Sequence, residues 1–176
     1  GGRVLDLFSY TGGFGLHALA GGAREVVMVD ESDYAVETAL KNLRLNGFEG
    51  RASVIRSRAK RFLEAAARRG EKFDLVVVDP PALVPTREML RRGIRTYLAV
   101  NAAALSLVEE GGLLFTSSCS QFVGAERFRG VLVRALERVG RRGLFLGGVR
   151  GQSPDHPIDP LHPWTGYLKG FLLTVS

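Results

Sequence analysis

A chain of 176 residues, 45% of them hydrophobic, can bury one sizeable core, so a single compact domain over residues 1–176 is expected. Its one cysteine excludes an internal disulfide, and that cysteine with three histidines (His17, His156 and His162) offers no zinc-ligand spacing, so no metal is expected. The apolar runs fall short of the ~20 residues of a membrane span, and no export signal precedes the first strand-like run, which makes the cytoplasm the expected location.

A net charge of +6, with Arg56, Arg58, Arg61, Arg68 and Arg69 close together, suits a polyanionic partner and equally a solvated helix face. Along the chain, β-branched apolar runs alternate with longer stretches of helical period, the pattern of an α/β sheet with parallel strands. Strands are expected over residues 3–9, 25–30, 52–56, 73–79, 112–117, 144–149 and 166–175, with helices between them.

The first strand leads into Phe8-Ser9-Tyr10-Thr11-Gly12-Gly13-Phe14-Gly15, and a helix is expected to open at about Phe14. Glycines at such a turn let a ligand approach the backbone and aim amide donors from a helix N-terminus. A dinucleotide or phosphate is an equal contender on this evidence, although neither G-x-G-x-x-G nor G-x-x-x-x-G-K-[ST] is present.

The second strand ends Val29-Asp30-Glu31-Ser32, which places a carboxylate where it can accept from two ribose hydroxyls. Capping of the next helix is the simpler alternative, and NAD would suit the same pair of motifs. That helix, residues 32–45, has Ser32 as N-cap, Asn46-Gly47 as a left-handed stop, and a buried face of Ala35, Val36, Ala39, Leu40 and Leu43.

The fourth strand ends Val77-Val78-Asp79-Pro80-Pro81. Two prolines fix φ and remove two amide donors, stiffening a turn that can hold a flat base beside a carboxylate, or that simply terminates the strand. A helix follows over residues 86–109 with a break expected near Gly93. Another, over residues 126–140, carries Phe128, Val131, Leu132, Ala135, Leu136 and Val139 on one side. Residues 152–166, dense in Pro, His and Asp, read as one long ordered loop of the kind that often carries function.

With VLDLFSYTGGFGLHAL, VVMVDESDYAVETALKNLRLNG, FDLVVVDPP, LLFTSSCS and DHPIDPLHPWTGYLKGF in this order, the chain resembles the bacterial 23S ribosomal RNA cytosine-C5 methyltransferases, a branch of the class I S-adenosylmethionine-dependent methyltransferases. The resemblance covers nearly all of residues 1–176. It implies a Rossmann-like seven-stranded mixed sheet of order 3-2-1-4-5-7-6, with helices on both faces and the last strand antiparallel. It also implies that residues 1–176 are the catalytic half of a longer chain with an N-terminal RNA-binding domain, acting on 23S ribosomal RNA. A homodimer is compatible with the sequence, which specifies none.

By the same resemblance, Phe8, Ser9, Tyr10, Thr11, Gly12, Gly13 and Phe14 would hold the methionine portion of S-adenosylmethionine, and Asp30, with Glu31 and Ser32, the ribose. Asp79 would face the reacting base. Ser57-Arg58-Ala59 stands where relatives tend to have an Asp beside the adenine, and Ala82-Leu83 where they often have Lys-Phe.

C5 of cytosine is a poor nucleophile, so a thiol must first add at C6. Cys119, in Ser117-Ser118-Cys119-Ser120 at the end of the fifth strand, is the expected nucleophile, with Asp79 as the acid bonded to N3. A lone cytosolic cysteine is otherwise most often a small buried hydrophobe. His156 is read as a proton carrier, an RNA contact or a loop-fixing residue, and Lys169 as solvated charge on an edge strand. Two alternatives stay open: a ribosomal RNA guanine methyltransferase in which Cys119 is idle, and a module that binds cofactor or RNA without turnover.

Overall fold

The computed structural model describes residues 1–176. In chain order it comprises β1 (Arg3–Leu7), α1 (Gly13–Ala20), β2 (Glu25–Asp30), α2 (Asp33–Leu45), β3 (Ala52–Arg56), α3 (Ala59–Arg68), β4 (Phe73–Val78), α4 (Leu90–Leu105), β5 (Val108–Ser118), α5 (Ala125–Val139), β6 (Gly143–Phe145) and β7 (Lys169–Val175). The strands form one sheet of order β3-β2-β1-β4-β5-β7-β6. The first five are parallel, and β7 runs antiparallel to both β5 and β6.

Alternate residues of each strand feed two cores. Leu5, Leu7, Val27, Val29, Val76, Val78, Leu114, Phe171 and Leu173 face α3, α4 and α5 in the larger one. Val4, Val26 and Met28 face Leu19 of α1 and Ala39 and Leu43 of α2 in the smaller one. Fully buried side chains such as Tyr97, Phe73 and Phe128 each contribute about 1.5–3 kcal/mol by leaving water. No helix is long and apolar enough to cross a membrane.

Helix α2 begins at Ser32, whose hydroxyl accepts from Ala35 N at 3.4 Å, and ends before Gly47 at φ 69°. Its buried face is narrower than its period suggests, because Leu40 is exposed. The α5 stripe packs into the larger core, with Val139 half-buried at its end.

Several boundaries differ from the sequence reading, among them β1, which ends at Leu7 and not at residue 9, and β7, which begins at Lys169 and not at residue 166. The helix expected over 86–109 is the unbroken α4, preceded by a single 3-10 turn at Arg87–Met89. Leu107 and Val108 continue the helical spacing of apolar residues, yet Val108 pairs with Phe73 and opens β5 through a register shift, with Gly111 at φ 74°. Strand β6 stops at Phe145 because Gly147, at φ 83°, turns the chain away, and the next pairing is a single bridge from Arg150 to Gly170. Strand β7 lies between β5 and β6, so Lys169 is on an inner strand and is buried at 6% exposure, not solvated on an edge.

Gly93 does not break α4; it lets the loop after β4 lie on the helix. A Cβ there would overlap Val84 Cγ2 and the Leu83 carbonyl oxygen. Gly93→Ala is therefore expected to cost about 1–3 kcal/mol, read as a lower thermal unfolding midpoint. An unchanged midpoint would contradict the close approach.

Candidate active site

The loop after β1 is held in an unusual conformation. Phe8 and Tyr10 have φ of 61° and 47°, and Gly12 has 87°. Side chains other than glycine pay about 1–3 kcal/mol for such backbone, and the neighbouring strand supplies what holds it. Asp30 Oδ2 accepts from Tyr10 N at 2.9 Å and Oδ1 from Ser32 N at 3.0 Å. Ser9 N donates to the Val29 carbonyl at 3.1 Å, and Gly12 N to the Ser9 carbonyl at 2.8 Å. A Cβ on Gly12 would sit 3.1 Å from Met28 Sδ, so both its φ and its packing call for glycine. Asn42 on α2 ties down the Thr11 carbonyl at 2.9 Å.

Beneath this loop, Asp6 Oδ2 accepts from Gly15 N at 2.9 Å, while the other carboxylate oxygen is buried with no partner. Burial is the largest cause of its raised pKa, about 7.

The second cluster lies at the ends of β4 and β5. Their parallel pairing puts Val78 opposite Thr116, so Asp79 and Ser117 are neighbours and the Ser117 hydroxyl donates to Asp79 Oδ1. Cys119 Sγ lies 3.8 Å from the Pro80 carbonyl oxygen. The flanking serines point away into a buried network: Ser118 Oγ donates to Tyr97 Oη at 2.9 Å, Tyr97 Oη pairs with Ser120 Oγ at 2.8 Å, and Val84 N donates to Ser120 Oγ at 3.0 Å. With its neighbours anchored, the Cys119 side chain stays half-buried at the cavity wall. Burial, and next the Asp79 carboxylate, push its thiol pKa up, while Lys169 opposes them.

One cavity of roughly 850 Å³ joins both clusters. Phe8, Tyr10, Asp30, Glu31, Ser32, Ser57 and Arg58 line it at one end, and Asp79, Pro80, Pro81 and Cys119 at the other. Of the residues expected to bind a cofactor, Ser9, Thr11, Gly12, Gly13 and Phe14 are not on its wall. Ser9 and Gly12 are buried in the turn, Gly13 opens α1, and Phe14 stacks on Phe115 with ring centroids 5.3 Å apart.

Ser57 N donates to the Asp30 carbonyl at 2.8 Å, and Arg58 is drawn to Glu31 at 3.2 Å. The wall beside them therefore carries an ion pair where a lone carboxylate was the family expectation. Val29, Ala59 and Leu83 supply apolar surface alongside.

Four contributors escaped the sequence reading. Asp6 and Tyr97 have no role in that reading beyond lying in the first strand and in the helix over 86–109, Ser117 none beyond the strand end, and Lys169 is read there as surface charge. A polar residue in mid-strand at Asp6 was the one local signal. Of the histidines in the long loop, His156 pairs with Asp155 at 3.1 Å and His162 with Asp159 at 2.6 Å. Gln152 bonds the carbonyls of His156 and Thr165 and orders that loop. Neither histidine lines the cavity.

The Asp6 carboxyl has a testable consequence for stability. Its pKa rises from 3.8 to about 7 on folding, so the native state holds its proton more tightly and loses stability as pH climbs through that interval. Asp6→Asn removes this loss. The unfolding free energy of the variant, followed by calorimetry, should gain on that of the parent between pH 4 and pH 8, by on the order of 4 kcal/mol or less. Parallel profiles for the two proteins would refute the assignment.

Comparisons with known proteins bear on the fold and the family. The family described as Conserved hypothetical protein 95 matches residues 1–111. The chain is 40% identical over 98% of its length to "Ribosomal RNA large subunit methyltransferase I" of Salmonella arizonae and, equally, of Escherichia coli O139:H28. It spans 43% and 44% of those relatives, less than half of each. Among solved structures, the methyltransferase SMU.776 in complex with SAH superposes with a TM-score of 0.85 at 20% identity, covering 99% of this chain and 45% of that one. NSun6 from Pyrococcus horikoshii with SFG gives 0.65 at 20% identity, covering 99% and 47%. With its strand order and these superpositions, the chain has the class I methyltransferase fold, and it belongs to the Conserved hypothetical protein 95 family.

Proposed function

We propose that residues 1–176 form the catalytic domain of a longer ribosomal RNA methyltransferase, which moves a methyl group from S-adenosylmethionine to C5 of a cytosine in 23S ribosomal RNA. The observation that carries this reading is the single cavity with Asp30 at one end and Cys119 and Asp79 at the other. Relatives at 40% identity are named as large-subunit ribosomal RNA methyltransferases, and a net charge of +6 suits a polyanion.

The residues present fit the cofactor. Each Asp30 oxygen accepts one backbone amide and keeps lone pairs for the ribose hydroxyls. The partnerless, buried Asp6 oxygen under the glycine turn suits the ammonium of an amino acid, directly or through water. Phe8, Val29, Ala59 and Leu83 offer apolar flanks for a purine, with the Arg58–Glu31 pair at its edge. When bound, the cofactor supplies an electrophilic methyl on a sulfonium.

The chain's own residues then have distinct tasks. Pro80 and Pro81 hold a rigid shelf beside the cavity. Asp79, oriented by Ser117, shares a proton with N3 of the cytosine and draws electron density from the ring. Cys119 as thiolate adds to C6, which makes C5 nucleophilic enough to accept the methyl. Loss of the C5 proton to a base then expels Cys119.

Incubating unmodified ribosomal RNA with the full-length protein and labelled cofactor, followed by digestion and mass analysis of nucleosides, should yield 5-methylcytidine. Cys119→Ala should lower transfer by about a thousandfold or more. Because burial holds the thiol in its protonated form, the wild-type rate should climb with pH through the neutral and mildly alkaline range as thiolate forms. Full transfer by Cys119→Ala, or a methylated guanosine as product, would assign the cavity to a base that needs no nucleophile.

A further inference from the structure

Lys169 is a buried cation without a carboxylate partner. Its residue is 6% exposed, and its Nζ donates to the Ser120 carbonyl at 2.6 Å and the Tyr167 carbonyl at 2.7 Å. Its Cα lies opposite Ser118 across the β5–β7 pair. The ammonium is thereby fixed by the two segments that flank the reactive end of the cavity: the loop carrying Cys119, and Tyr167-Leu168, both of which line that wall.

Two carbonyl dipoles satisfy two of its three donors and leave one. A buried ammonium without a counter-ion is costly, and a surface role would need none of this anchoring. The titratable group whose charge acts on it is Cys119; Ser120, whose carbonyl it binds, also pairs with Tyr97 of α4 through its hydroxyl, while the other titratable group at this end of the cavity is Asp79, bonded to Ser117. Of these, Cys119 is the one with which Lys169 interacts reciprocally: each stabilises the ionised form of the other.

We propose that Lys169 is a positioning residue that supplies the counter-charge for the Cys119 thiolate. This inference rests on the nucleophilic reading of Cys119 given above. The thiol proton leaves to a solvent base, and the thiolate that remains is offset by the positive charge of the Lys169 ammonium, held at the Cys119 loop by the Ser120 carbonyl. The sulfur electron pair forms the S–C6 bond, and the C5–C6 π pair moves to C5 and takes the methyl. When the C5 proton leaves to a base and on to water, its bonding pair restores C5=C6. The S–C6 pair then returns to sulfur beside the waiting ammonium. Burial brings the Lys169 pKa down to about 8, so near neutrality the side chain is still mainly the ammonium that offsets the thiolate charge.

The test reads the thiol without RNA. Cys119 is the sole cysteine of residues 1–176, and its carbamidomethylation by iodoacetamide in the full-length protein can be followed by peptide mass across pH 6–10. Lys169→Met should slow alkylation at neutral pH by about tenfold or more and move the profile to higher pH, whereas Lys169→Arg should restore most of the rate. A Lys169→Met profile that coincides with the wild type would overturn the proposal.

A reciprocal measurement keeps Lys169 in place should its replacement disturb folding. In Cys119→Ser protein, the lysine side-chain NMR resonance should titrate at lower pH than in wild type, and an unmoved midpoint would overturn the pairing. The nucleoside analysis is independent of both readings. Coupled titration with a methylated guanosine as product would leave the pair intact and reject the cytosine chemistry.

Discussion

The parallel pairing of β4 with β5, with Val78 opposite Thr116, is the constraint on which the site depends. A carboxylate at the end of one strand and a polar run at the end of the next become neighbours because parallel strands end at the same sheet edge. Ser117 can then donate to Asp79, and the chain beyond it presents Cys119 to the same cavity. Shifting either strand by one residue would turn Asp79 or Ser117 to the opposite face. The buried residues Val76, Val78 and Leu114 enforce the register, since slippage would take them all out of the larger core.

At the other end of the cavity, a second pairing does similar work by different means. β2 runs beside β1 with Leu7 opposite Val29, which brings Asp30 within reach of the loop after β1. Its carboxylate accepts from Tyr10 N and Ser32 N, fastening a loop that contains two residues in left-handed backbone. Strain held by one side chain at the mouth of a cavity is a form of pre-organisation. Ser32 accepts from the Ala35 amide in the first turn of α2, while Asp30 accepts from Ser32 N at the start of that turn and from Tyr10 N in the other loop.

Much of this was legible in the sequence where the signal is local. The run VLDLF, the alternation of strands with helical stripes, Asp30 and Asp79 at strand ends, and the Ser32 cap all depend on neighbours a few residues away. The α4–β5 boundary was not legible, because Leu107 and Val108 satisfy a helical period and extend a strand equally well. Positive φ at Phe8 and Tyr10 is hidden for a similar reason: neither is glycine, and what stabilises them comes from Asp30, twenty residues on. Lys169 was misread as edge charge although the resemblance already implied β7 between β5 and β6; its burial follows from that insertion, which the spacing of its neighbours does not announce. Ser57-Arg58 was visible as a departure, but its pairing with Glu31 needed the fold.

The central claim is that Cys119 forms a bond to the substrate base in the cavity shared with Asp30 and Asp79. Trapping tests it most directly: ribosomal RNA containing 5-fluorocytidine is incubated with the full-length protein and S-adenosylmethionine, since fluorine at C5 cannot leave as a proton and the adduct cannot collapse. The account predicts a covalent protein–RNA species whose digestion places a methylated fluorocytidine on the Cys119 peptide. Turnover of unmodified ribosomal RNA by a protein that forms no such adduct would contradict it.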